Sequence, residues 1–147
     1  MKLAQQFFLV VLLAVGGTAH AIDFKSVGAA PAIMYDAPGF KSTKVFIAPR
    51  GMPVEVVFTY GDWSKVRDVS GDLSWVESKA LNPKRNVVVN VAGAKVRSAA
   101  EDSAPVAFIA EKGVLLELAE PIASGWLKVK HRDGQAGYVK AADVWGD

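Results

Sequence analysis

The second half of this chain repeats the first, and this constrains the fold more than any other feature. The segment from Ala32 to Val56 aligns without a gap with the segment from Ala94 to Leu118, an offset of 62 residues. After one inserted residue in the second copy, Trp63 aligns with Trp126 and the match continues towards the end of the chain. Self-similarity of this kind indicates two copies of one structural unit. Each copy has about 55 residues, the low end of the size at which domains fold alone.

Each copy is predicted to consist of short β-strands. Val54, Val56 and Phe58 fall on one side of an alternating segment and Glu55 falls on the other, which is typical of a half-buried strand. Asp133-Gly134 supplies a hairpin signal between two such segments. No segment has a helical period over a useful length. The predicted fold is therefore all-β, with two small barrels in tandem.

The first 21 residues differ from the rest and predict a secretory signal peptide. A positive start at Lys2 precedes an apolar run over 7–17, and Ala19-His20-Ala21 is a cleavage pattern that places the cut after Ala21. A transmembrane anchor is the alternative, but the run is shorter than the ~20 residues that span a bilayer. Because the chain has no cysteine, disulfides and a lipid-modified N-terminal cysteine are excluded. We expect an exported protein without stable membrane insertion after cleavage.

The predicted organisation has four parts: a signal peptide at 1–21, barrel one at 22–81, a junction at 82–89 and a more divergent barrel two at 90–147. Pro83 and the cations next to it suit an exposed connection.

Charge and composition exclude several classes of function. A net charge of +2 is too small to predict nucleic-acid binding or attraction to an anionic membrane. The lack of cysteine removes thiolate catalysis and thiolate metal sites. His131, the one histidine after the signal peptide, lies two residues from Asp133, and an ordinary strand histidine beside a turn explains it. We predict no catalytic residue, no metal and no cofactor.

The aromatic side chains are the remaining candidates for a binding site. Trp63 has the same strand parity as Lys65 and Arg67, whereas Val66 has the opposite parity. Valines are therefore expected in the core and aromatics on the outer, charged face, where a flat amphipathic ring can contact peptide or sugar. The alternative is that the same rings seal the barrel ends or the interface between the copies. The candidate ligand-binding residues are Tyr35, Trp63 and Trp75 in copy one and Trp126 and Tyr138 in copy two.

The ordered segments IMYDAP, FIAPRG, GDWSKVRD and SGDLSWV of copy one, with SGWLKVKH and DGQAGYV of copy two, resemble the bacterial SH3-like domain. The resemblance covers nearly all of the chain after the signal peptide. It implies small five-stranded barrels in exported proteins, often beside cell-wall enzymes. Such barrels bind peptidoglycan or peptides, or serve only to dock one protein onto another. Eukaryotic relatives hold polyproline between aromatics. That groove is half built here around Tyr35 and Trp63, and absent in copy two, where Arg97 replaces the tyrosine.

Three hypotheses for the function remain. The first is an exported, non-enzymatic binding module, most simply periplasmic, that recognises peptidoglycan or a peptide segment of an envelope protein. The second is an adaptor without a soluble ligand that docks onto a wall enzyme or an envelope complex, of which a homodimer through strand edges would be one form. The third is a hydrolase centred on His131.

Overall fold

The fold is described from a computed structural model that covers residues 21–120 and 124–147. The predicted signal peptide falls on residues outside this part, apart from Ala21, and therefore stays a prediction together with its cleavage and with export. Within the described ranges, no helix is long and apolar enough to cross a bilayer.

The described chain consists of β-strands with two short 3₁₀ helices. The first half contains β1 (Phe24–Val27), β2 (Ala32–Tyr35), β3 (Lys44–Ala48), β4 (Pro53–Tyr60), β5 (Trp63–Arg67), β6 (Leu73–Glu77), a 3₁₀ helix (Ser78–Ala80) and β7 (Leu81–Asn82). The second half contains β8 (Asn86–Val89), β9 (Ala94–Arg97), β10 (Val106–Ala110), β11 (Leu115–Leu118), β12 (Trp126–Lys130), β13 (Ala136–Lys140), a 3₁₀ helix (Ala141–Asp143) and β14 (Val144–Trp145).

The two halves form two separate antiparallel sheets with the same topology. The strand order is β3-β2-β6-β5-β4-β1-β7 in the first sheet and β10-β9-β13-β12-β11-β8-β14 in the second. Each strand of the first sheet thus has its counterpart seven strands later, and both 3₁₀ helices occupy the same place. The predicted repeat, the all-β class and the tandem arrangement are confirmed. Each sheet has seven strands rather than the implied five, because β1 pairs with both β4 and β7 and extends the sheet beyond β4.

Each sheet surrounds its own apolar core. In the first sheet, every strand from β1 to β6 contributes a buried residue to one cluster: Val27, Ala32, Met34, Ala48, Val54, Val66 and Val76. A sheet whose successive strands all point into one cluster must curve around it, which makes the unit a small barrel. The second cluster is formed by Val87, Val89, Ala94, Val96, Ala110, Leu116, Leu127, Val129, Val139 and Val144. We refer to these units as barrel one and barrel two.

The connection between the barrels is shorter than the predicted junction at 82–89. Asn82 still belongs to β7, and β8 begins at Asn86, so only residues 83–85 lie between the sheets. Val87 and Val89 of β8 are 0% and 1% exposed in the core of barrel two. The prediction placed this apolar strand in the junction because the recognised repeat began only at Ala32, whereas β8 is the counterpart of β1.

An aromatic contact joins the two barrels. The rings of Phe24 in β1 and Trp145 in β14 meet edge to face, with centroids 5.1 Å apart. The guanidinium carbon of Arg85 lies 5.4 Å from the centroid of Phe24, and Arg85 Nη2 donates a hydrogen bond to the carbonyl oxygen of Gly146 at 3.0 Å. Trp145 of barrel two thus covers an aromatic ring of barrel one.

A hydrogen bond from Asn86 to Gly51 and a close contact between Gly146 and Pro53 belong to the same interface. Asn86 Nδ2 donates a hydrogen bond to the carbonyl oxygen of Gly51 at 2.9 Å. Gly146 has a φ of 116°, and a Cβ atom added to it would lie 2.8 Å from the backbone oxygen of Asn86 and 3.0 Å from Cβ of Pro53. Glycine is therefore required here both for its backbone conformation and for the space.

We predict that Leu127→Ala lowers the free energy of unfolding by about 2–5 kcal/mol, because it leaves a cavity in a close-packed core. Leu127 is 0% exposed. The control is Leu73→Ala on an outer face, where the side chain is 48% exposed and the expected change is within about 0.5 kcal/mol. Urea unfolding of the purified protein measures both values. Equal losses would contradict the assignment of the core.

We also predict that Gly146→Ala destabilises the protein more than Gly39→Ala does. Both glycines have positive φ, 116° and 124°, but nothing lies within 4 Å of the Cβ position at Gly39. The backbone strain is thus similar in both variants, and the additional loss at Gly146, about 1–3 kcal/mol, reflects its tight contacts with Asn86 of barrel two and Pro53 of barrel one. Thermal and urea unfolding would show it. A larger loss for Gly39→Ala would contradict the close packing around Gly146.

Candidate functional site

Strand alternation places aromatic and charged side chains together on the outer face of barrel one. Val66 in β5 and Val76 in β6 are 0% and 1% exposed in the core, so their neighbours along each strand point outward. Trp75 pairs with Lys65 of β5 on one side and with Tyr35 of β2 on the other. The arrangement of valines inside and aromatics on the charged face agrees with the sequence pattern.

Three aromatic rings form the centre of this face, and we call Tyr35, Phe40 and Trp63 the aromatic cluster. The ring of Trp63 lies 5.3 Å from that of Tyr35 and 5.2 Å from that of Phe40, and the Tyr35 and Phe40 rings are 6.4 Å apart. All three pairs meet edge to face, a favourable aromatic geometry. Tyr35 is only 5% exposed, whereas Phe40 is 66% exposed. Tyr35 therefore supports the cluster from below, and Phe40 presents it to solvent.

A loop between β2 and β3, held by internal hydrogen bonds, positions Phe40. The backbone N–H of Asp36 donates to the carbonyl oxygen of Thr43 at 3.0 Å, and the N–H of Thr43 donates to Asp36 Oδ1 at 2.9 Å. Ser42 Oγ donates to the carbonyl oxygen of Ala37 at 2.7 Å. These hydrogen bonds fix the loop over Trp63. Sequence reasoning missed Phe40, although a phenylalanine directly after Pro-Gly is an aromatic at a turn and could have been noted.

The long strand β4 extends the aromatic face. β4 has eight residues, whereas its counterpart β11 has four, and a register shift after Val56 bends its end. Phe58 contacts Trp75, with centroids 6.2 Å apart, and Tyr60 pairs with Trp63 across the hairpin. Phe58 and Tyr60 are 56% and 63% exposed. Their places beside the two tryptophans were not predicted. The strand alternation had put Phe58 on the side of Val54 and Val56, but the register shift between Val56 and Phe58 leaves its side chain exposed.

Barrel two has a charged network at the corresponding place. Asp102 occupies the position of Phe40, 62 residues later, and Arg97 stands where the first copy has a tyrosine. Lys140 Nζ lies 2.7 Å from Asp102 Oδ1 and 5.8 Å from the ring centroid of Trp126. The hydrogen bond and the charge of Lys140 lower the pKa of Asp102 below its usual value. The partly buried indole of Trp126 thus lies beside an ion pair, whereas that of Trp63 lies beside two aromatic rings.

Tyr138 in barrel two also lies among cations. It pairs with Lys128 of β12 and with Arg97 of β9. Lys128 Nζ lies 3.1 Å from Glu120 Oε1, and that hydrogen bond is the main cause that raises the pKa of Lys128. Trp126 and Tyr138 therefore share a cationic outer face, and the binding role predicted for them stays a prediction, as it does for Tyr35, Trp63 and Trp75.

His131 lies in the turn between β12 and β13. Its Nδ1 is 3.0 Å from Asp133 Oδ1. The pKa of Asp133 is lowered first by the hydrogen bond from the backbone N–H of Gln135 and then by His131. Among the side-chain hydrogen bonds of the described residues, none joins a serine hydroxyl to the imidazole. No cluster of three or more His, Asp or Glu side chains suited to a metal occurs in residues 21–120 and 124–147.

Comparison with solved structures gives only distant matches. No curated protein matches the chain. Two solved structures of Trichomonas vaginalis proteins, NlpC1 and NlpC2, have TM-scores of 0.40 and 0.39 and sequence identities of 11% and 10%. The matches cover 95% and 86% of this chain and 51% and 49% of those chains, so this chain spans about half the length of either.

The family match is specific and occurs twice. The bacterial SH3 domain family matches residues 28–83 and again residues 90–146, which correspond to the two barrels and to the two copies of the repeat. Bacterial SH3 domains are binding modules. With two matches that together cover most of its length, the chain belongs to the bacterial SH3 domain family.

Proposed function

We propose that this protein is an exported, non-enzymatic binding module of the cell envelope, and that the aromatic cluster of barrel one binds its ligand. The ligand is peptidoglycan or an extended peptide segment of an envelope protein. The observation that carries the proposal is the exposed Phe40 ring, which is 66% exposed and packs on Trp63. A rigid, solvent-facing aromatic supported from below loses little entropy when it contacts a ligand.

The distribution of exposed apolar side chains favours barrel one as the binding unit. Large hydrophobic residues with substantial exposure in barrel one are Ile33, Phe40, Val45, Phe46, Ile47, Val57, Phe58, Tyr60, Val69 and Leu73. Among the described residues of barrel two, which leave out 121–123, they are Val106 and Ile109. An exposed apolar surface of this extent on one domain is typical of an interaction site. The described part of barrel two has the same fold with far fewer exposed apolar side chains, so the fold itself does not require them.

Charges around the cluster suit a ligand that carries peptide groups. Lys65 lies between Phe58 and Trp75 in the strand register. Glu77 pairs with Trp63 and forms an ion pair with Lys79 at 3.3 Å. A ligand with both an apolar part and ionised amine or carboxylate groups, such as the stem peptide of peptidoglycan, can use both sets of contacts.

We predict that Phe40→Ala lowers co-sedimentation of the purified protein with isolated peptidoglycan sacculi at least fivefold, because truncating an aromatic anchor typically costs more than about 1 kcal/mol. The matched control is Ile109→Ala, another exposed apolar residue (58% exposed) on β10 of barrel two. Urea unfolding checks that both variants keep the stability of the parent. Equal pelleting of all three proteins would place the binding surface elsewhere.

We further predict that Trp126→Ala reduces binding to sacculi less than Trp63→Ala does. Trp126 is flanked by Lys140 rather than by aromatic rings, so its site lacks the stacked surface of the aromatic cluster. The same sedimentation assay, normalised to the folded fraction of each variant, measures the difference. If the two variants lose binding equally, both barrels bind and the tandem sites act together.

The second candidate function is an adaptor that docks on an envelope protein, and the edge strand β3 favours it. In the sheet order β3 pairs only with β2, and Val45, Phe46 and Ile47 are 53%, 48% and 67% exposed. An apolar edge strand can accept a further strand from a partner. Failure to sediment with sacculi, combined with crosslinking of a β3 residue to an envelope protein in cells, would support the adaptor over the wall-binding module.

A further inference from the structure

A cationic cleft lies where the two barrels meet, and it shares no residue with the aromatic cluster. Its cavity is about 530 Å³, within the range of sites that hold small ligands or short peptide segments. Barrel one contributes the β3–β4 turn with Arg50. Barrel two contributes β11, Lys130 at the end of β12, and Arg132 in the β12–β13 turn. The connection between the barrels closes the cleft with Lys84.

The cleft concentrates positive charge. Four lining cations, Arg50, Lys84, Lys130 and Arg132, face one carboxylate, Glu117, which leaves +3 in a chain whose whole net charge is +2. Lys84 and Glu117 neutralise each other in an ion pair of 3.1 Å. Among the described residues, none of the other three cations forms an ion pair. Three side chains from both barrels are therefore available to an anionic ligand.

The floor of the cleft is apolar and restricts the class of anion. The partly buried Val114 and Leu115 line it, together with the exposed Ala29. An inorganic anion gains nothing from such a surface, whereas a peptide that alternates acidic and apolar side chains can place carboxylates on the cations and apolar groups on the floor. Arginine also matches a carboxylate with two parallel hydrogen bonds.

We propose that this cleft is a second binding site and that it takes an acidic peptide segment, whose carboxylates contact Arg50, Lys130 and Arg132. Because Arg50 and the other two cations belong to different barrels, the site exists only when both barrels are folded and docked. This gives the tandem arrangement a role that neither barrel has alone. The proposal is independent of the ligand of the aromatic cluster.

Calorimetric titration of the purified protein with two acetylated hexapeptides tests the proposal, one alternating glutamate with valine and the other glutamine with valine. The glutamate peptide is expected to bind at least tenfold more tightly. At about 0.15 M salt the Debye length is about 8 Å, so remote charges contribute little. The ring proton resonances of His131, which lines the cleft, are expected to shift on binding.

The double variant Arg50→Gln, Arg132→Gln is expected to weaken binding of the glutamate peptide at least tenfold, since two charge-assisted contacts are lost. The matched control is Lys41→Gln, Lys95→Gln, which removes the same charge from exposed positions outside the cleft and should change affinity less than threefold. Equal weakening by both double variants would overturn the proposal in favour of a bulk charge effect. It would also be overturned if neither peptide bound, or if inorganic phosphate bound as tightly as the glutamate peptide.

Discussion

Each central strand buries a valine in the core. The burial of these valines stabilises the barrels and decides which side chains lie on their outer faces. Val66 and Val76 in barrel one, and Val129 and Val139 in barrel two, are at most 1% exposed. Removing them from water is favourable, and the two-residue period of a strand then forces the intervening side chains outward. Trp63 thus lies on the charged face because its neighbours are needed in the core. A slip of one residue in register would expose every valine.

The contact between the barrels adds to the stability that each small core provides. Each barrel has about 55 residues and a correspondingly small core, so additional burial at their interface contributes to the stability of both. Phe24 lies in β1, the second strand from one edge of the first sheet, and Trp145 lies in β14, the edge strand of the second sheet. The connection at 83–85 is too short to let β1 and β14 separate far. The cationic cleft is a consequence of this docking, since its walls come from both barrels.

The two copies keep one scaffold and differ where they face solvent. The core positions remain apolar in both barrels, whereas Phe40 corresponds to Asp102. In the first copy this position completes an aromatic cluster, and in the second it forms an ion pair with Lys140. A duplicated barrel can change its outer face in this way without loss of fold, because exposed substitutions cost little stability.

The sequence by itself determined the all-β class, the tandem repeat and the inward and outward parity of Trp63 and Trp75, because these follow from spacing along the chain. It did not reveal β8, which the predicted junction had absorbed, since an apolar run beside a proline-containing connection has no periodicity of its own. Only the tertiary structure decided that Phe40 packs on Trp63, that Phe58 contacts Trp75, and that Arg50 and Arg132 share a cleft. Loop closure, hairpin register and docking of two domains bring together residues that are distant along the chain, and no local pattern encodes such contacts.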